Sequence, residues 1–134
     1  SANITEIEFV TSSFDKSDGG NIDVLVRFNE PVTVTGTPRV SITNGNQGSG
    51  SGRGPHLANY LSGSTTNELT FRCTIAAANA ATNAGDILVI GANALALNSG
   101  TIKDTGQSGT NATITSSAGI GTAAGSITVA AENV

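Results

Sequence analysis

The chain holds no tryptophan, no methionine, a single cysteine and a single histidine, and only 12% of its 134 residues are charged. Each shortage removes something. One cysteine, Cys73, cannot form an internal disulfide. One histidine, His56, means that a histidine-based triad or a multi-histidine metal centre would depend on that residue alone. So few charges exclude a coiled coil, which is built largely from Glu, Lys and Leu. The six cations, Lys16, Arg27, Arg39, Arg53, Arg72 and Lys103, are scattered, and the net charge is −4. A nucleic-acid surface needs clustered Lys and Arg to displace counterions from phosphate, so nucleic acid is not an expected partner. No apolar run approaches the ~20 residues of a membrane-spanning helix, and no charged-then-apolar leader is present. Membrane insertion is therefore not expected.

The motifs of enzymes are also missing. There is no Gly-x-Ser-x-Gly elbow. The run Gly48-Ser-Gly-Ser-Gly-Arg-Gly54 fits neither Gly-x-x-x-x-Gly-Lys nor Gly-x-Gly-x-x-Gly. No set of acid, base, nucleophile and oxyanion donor can be assembled. A non-enzymatic protein without a cofactor is the expectation.

What is present is alternation. In residues 21–38, Ile22, Val24, Val26 and Phe28 fall on one face, and Asp23, Leu25 and Arg27 on the other. That is the period of a half-buried antiparallel strand. Glu30-Pro31 interrupts the ladder, because proline has no amide hydrogen to donate. Val32 and Val34 then resume it, as suits a strand that changes partners. Leu69, Phe71, Cys73 and Ile75 alternate in the clearest central strand, with Cys73 a small core residue.

Further strands are predicted at 3–11, 32–35, 38–43, 57–61, 87–90, 94–97, 100–104, 112–115 and 126–131. Ser12 to Gly20 reads as a polar turn. Residues 44–56 form a glycine-rich flexible loop by composition. Ala76–Gly85 reads as a helical turn, and 116–134 as a C-terminal extension. Many short strands with turn signals about every ten residues indicate an all-β fold, an antiparallel sandwich or barrel, in one domain spanning 1–134.

Three stretches carry a resemblance. They are Gly20-Asn-Ile-Asp-Val-Leu-Val-Arg-Phe-Asn-Glu-Pro-Val-Thr-Val-Thr-Gly-Thr-Pro-Arg-Val40, residues Ala58 to Ile75, and Ala92-Asn-Ala-Leu-Ala-Leu-Asn-Ser-Gly-Thr-Ile-Lys-Asp104. Together they resemble the bacterial and phage Ig-like β-sandwich module, which occurs as tandem repeats in large surface proteins and singly in virion proteins. The resemblance covers most of residues 3–115 and implies an Ig-like sandwich of about seven to nine short strands. It carries no catalytic signature. Residues 44–56 look like an insertion relative to the module, and the tail from Ser116 lacks the linker into a next repeat.

Two roles follow from the resemblance. The first is a virion-exterior protein that decorates or cements a phage capsid, with protein partners and self-association into a homo-oligomer on the larger assembly. The alternative is one module of a bacterial cell-surface adhesin, acting as spacer or glycan-binding unit. For either, Gly48, Gly50, Gly52, Arg53 and His56 are the interface candidates, with His56 exposed in a loop. Asp15, Asp18, Asp23 and Asp104 are candidate calcium ligands, since calcium takes several oxygen donors from flexible loops. The competing reading makes them turn formers that satisfy local amides.

Overall fold

Apolar alternation places two long strands side by side at the centre of the molecule. The computed structural model describes residues 1–15, 17–44, 55–76, 85–107, 109–120 and 125–130. Among them there is no helix, and ten strands are present. These are β1 (Ile4–Phe9), β2 (Phe14–Asp15), β3 (Gly20–Thr35), β4 (Arg39–Asn44), β5 (His56–Ser62), β6 (Thr66–Ile75), β7 (Ile87–Val89), β8 (Leu95–Ala96), β9 (Thr101–Asp104) and β10 (Ser126–Ala130). They form one curled, mixed sheet in the order β1-β3-β6-β5-β4-β7-β10-β2, with β8 on β4 and β9 on β3.

The pairing of β3 with β6 sets both faces of the centre at once. Ile22, Val24 and Val26 lie opposite Cys73, Phe71 and Leu69, and all six are buried. The intervening pairs, Asp23 with Arg72 and Arg27 with Glu68, face outward. β1 adds Ile7 opposite Val26 on the inner face and Glu6 opposite Arg27 on the outer. All eight residues expected in the core, Ile22, Val24, Val26, Phe28, Leu69, Phe71, Cys73 and Ile75, are buried. Tyr60 on β5 meets the Phe71 ring edge to face, with centroids 6.0 Å apart.

β3 does change partners at Pro31, but without breaking. Up to Phe28 it is flanked by β1; from Val32 to Thr35 its neighbour is β9. Its register with β6 shifts between Arg27 and Val32. The Pro31 carbonyl accepts the Thr105 amide at 3.0 Å, so the residue that cannot donate still ties the chain across the switch. The alternation of 22–28 and the strand expected at 32–35 thus belong to one strand.

β4 makes a second switch. Arg39–Ile42 pair with β5, whereas Thr43 and Asn44 pair with β7. This hands the sheet on to β7, β10 and β2, where β10 and β2 run parallel. The sheet is therefore mixed rather than purely antiparallel. The strand expected at 126–131, within the C-terminal extension, is β10, with Ile127 and Val129 buried because its own alternation gives it a core face. The turn expected at 12–20 contains β2, anchored by buried Phe14. Residues 112–115 form no strand; Thr113 and Asn111 make only isolated bridges to Asn3 and Lys103. The expected helical turn over 76–85 lies almost wholly outside the described residues.

The turn from β5 to β6 is tight and strained. A Cβ on Gly63 would lie 2.1 Å from the Glu68 carbonyl oxygen, and Gly63 has φ +115°, so only glycine fits. Thr65 nevertheless adopts φ 76°, an unfavourable conformation for a β-branched residue. Its amide donates to the Val32 carbonyl at 2.7 Å, which holds it there.

Candidate functional site

The chain leaves β4 at Asn44 and enters β5 at His56, and both residues face the core. Ile42 lies opposite His56, and Asn44 opposite Leu88. Asn44, His56 and Asp86 are all buried. Burying polar groups is costly unless they find partners, and here Asn44 and Asp86 find each other. The Asn44 amide Nδ2 donates to Asp86 Oδ2 at 2.8 Å. Burial pulls the His56 pKa below its ordinary 6.5, while the Asp86 charge pulls the other way.

Of the flexible loop expected at 44–56, Asn44 and His56 belong to strands and residues 45–54 lie outside the described residues, so His56 is not an exposed loop residue. The alternation of His56, Ala58 and Tyr60 extends β5 back through it, and the Asp86 charge offsets only part of the cost of enclosing an imidazole. The missed signal is the parity of positions 40, 42 and 44 with 56 and 58. Buried together, these groups tie the end of β4 to the residue that precedes β7. Gly48, Gly50, Gly52 and Arg53 lie outside the described residues.

Asp15 and Asp18 share a turn, whereas Asp23 lies on β3 and Asp104 on β9. Asp15 closes a turn: its Oδ1 accepts the Ser17 amide at 2.8 Å, and its carbonyl accepts the Asp18 and Gly19 amides at 3.2 and 3.0 Å. Asp23 holds the Arg72 guanidinium through two hydrogen bonds of 2.8 and 3.0 Å, and that partner keeps its carboxyl below the usual range. Asp104 ends β9 and is buried. Its Oδ1 accepts the Gly106 and Gln107 amides at 2.9 and 3.2 Å, while Oδ2 is enclosed without a hydrogen-bond partner. Among the described residues, no three His, Cys, Asp or Glu side chains gather closely enough to hold a metal ion. Asp15, Asp18, Asp23 and Asp104 do not form one site. Burial pushes the Cys73 thiol pKa up, which leaves it protonated and unreactive.

The outer surface holds features that the sequence reading passed over. Where β3 pairs with β9, Thr33, Thr35, Thr101, Lys103 and Thr105 line a shallow cavity of about 140 Å³. The Thr33 and Thr105 hydroxyls are hydrogen-bonded at 2.8 Å, and Thr35 bonds Thr101. The period-2 spacing of these threonines was its signal. Farther along β3, Arg27 reaches Glu6, Glu8 and Glu68. On β5, Leu57 and Leu61 are 39% and 47% exposed. Both alternate outward with Asn59, away from buried His56 and Ala58.

Compared with known proteins, the chain matches no family model, no curated protein and no solved structure. No helix among the described residues is long and apolar enough to cross a membrane.

Proposed function

We propose that the chain is an Ig-like sandwich module with a non-enzymatic, structural role: a phage virion protein that decorates or cements the capsid exterior and self-associates on that assembly. The switch of β4 from β5 to β7, which curls the sheet, is the feature that supports the sandwich reading. The observation that carries the docking role is the exposure of Leu57 and Leu61 on the outer face of β5. Two apolar side chains on one sheet face, where they adjoin, are the kind of patch that a protein partner covers. β5 is flanked by β4 and β6, so it offers a face rather than an edge. The sheet's ends are less available: β2 has two residues, and the Ile7 amide of β1 is taken by the Ile120 carbonyl at 3.3 Å.

A specific contact should bury roughly 800 Å² on each partner. The chain, added to undecorated capsids, should co-sediment with them, and Leu57→Asp combined with Leu61→Asp should abolish this while leaving the β-sheet circular dichroism spectrum intact. A chain that stays monomeric and leaves capsids bare would overturn the virion reading.

The threonine-lined cavity favours a second reading, a glycan-binding module of a bacterial surface protein. Its lining is mainly apolar surface, suited to the face of a sugar ring, and its threonine hydroxyls, paired with one another, lie alongside Lys103. Glycan-array binding lost in Lys103→Ala, with no capsid binding by the parent chain, would decide for it.

A further inference from the structure

We propose that Asn44, His56 and Asp86 form an acid-sensitive latch at the end of the sheet where β4, β5 and β7 meet, so that mild acid opens these strands locally while the β3–β6 centre stays closed. The placement of the three groups is the basis. Asn44 is the last residue of β4, His56 the first of β5, and Asp86 immediately precedes β7. The Asn44–Asp86 hydrogen bond therefore joins the end of β4 to the start of β7 across 42 residues of sequence. The Asp86 carbonyl also accepts the Val129 amide at 2.8 Å, which extends the link to β10.

A protonated His56 would be a cation enclosed in this cluster. β4 sets Ile42 opposite it, and β6, the other neighbour of β5, brings Ile75 and the uncharged Cys73 thiol to the same face. Arg39 on β4 and Arg72 on β6 alternate to the outer face, where they lie opposite Asn59. Among the described residues, Asp86 is thus the one charged group that acts on the imidazole. Its attraction does not outweigh the burial, since the net direction is a lowered pKa.

The sign follows. The unfolded chain takes up a proton near 6.5 and the folded chain only below that. The stability carried by neutral His56 is fully present above 6.5 and lost as pH falls through the gap between the two values. The groups that must move to hydrate the cation are the strand ends themselves, so the opening is local.

Amide hydrogen exchange measured by NMR from about pH 7.5 to about pH 3.5 tests this, with the His56 ring followed in the same samples and intrinsic exchange rates divided out. The expected result is a His56 titration below 6.5. With it, protection at Thr43, Leu57 and Leu88 should fall roughly tenfold for each unit of pKa depression, and that at Val24 and Phe71 should be unchanged. His56→Gln should abolish the pH dependence at those three amides. Equal acid sensitivity in His56→Gln, or loss of protection across β3 and β6 at the same pH, would overturn the latch. Should His56→Gln fail to fold, the parent chain decides: opening that coincides with the imidazole titration supports the latch, and opening near pH ~4, where carboxylates titrate, refutes it.

Discussion

The β3–β6 centre and the end of the sheet where β4, β5 and β7 meet bury their side chains by opposite means. At the centre every inward position is apolar, and all the charge is turned out into Asp23–Arg72 and Arg27–Glu68. Its stability comes from area removed from water and from close packing, which no ordinary change of pH touches. At the other end Asn44, His56 and Asp86 occupy inward positions of the same parity that hold Ile42, Ala58 and Leu88. Stability there depends on each polar group keeping its partner. The lesson is that one sheet can hold an indifferent region and a condition-sensitive one with no boundary between them but a strand switch at Thr43.

The largest expected effect tests the apolar half of that comparison. Phe71 is fully buried against Val24 and Tyr60. Phe71→Ala should cost about 3–5 kcal/mol in urea unfolding. A cost below that of Asp86→Ala would break the contrast. Asp86→Ala strands the Asn44 amide in a buried site and should cost about 1–3 kcal/mol. Asp86→Asn, whose amide oxygen still accepts, should cost less and should lower the His56 pKa further, as NMR titration would show.

Next comes a gain. Thr65→Gly relieves a positive φ and keeps the amide that bonds Val32, so it should raise stability by about 1 kcal/mol. No change would mean that the turn relaxes in solution.

The smallest effect belongs to the outer face. A double-mutant cycle on Asp23 and Arg72 should give the weakest coupling of the set, and it should shrink with added salt, because both groups are wetted. The pH windows sharpen the same contrast. Asp23 carries stability that is present above 3.8 and lost as pH falls through its lowered folded pKa. His56 loses its contribution below 6.5, so acid should reach the β4–β5–β7 end first.

Much of the fold was legible in advance. The alternation of residues 22–28 and 69–75 named the central strands and their core faces, since a period of two leaves one choice of inward side. Pro31 marked the partner change. The short pieces were less legible: Phe14–Asp15 is too brief to show a period, and 112–115 has alternation but makes only isolated bridges. The glycine-rich composition of 45–54 drew the loop boundary too wide and took His56 with it. Asp15 and Asp18 share a turn, but Asp23 and Asp104 do not join them as ligands, and one-dimensional spacing does not report distance across strands.

From the sequence by itself came the all-β class, the inward faces of the long strands and the fate of Cys73, because those depend on local period and on the cost of leaving apolar side chains in water. Tertiary structure alone decided which strands meet. It curled the sheet by passing β4 from β5 to β7, paired β10 with β2 in parallel, set Lys103 among threonines, and brought Asp86 to Asn44 and His56. Those outcomes depend on contacts between residues far apart in the chain, and a buried polar group can be tolerated only once its distant partner has arrived.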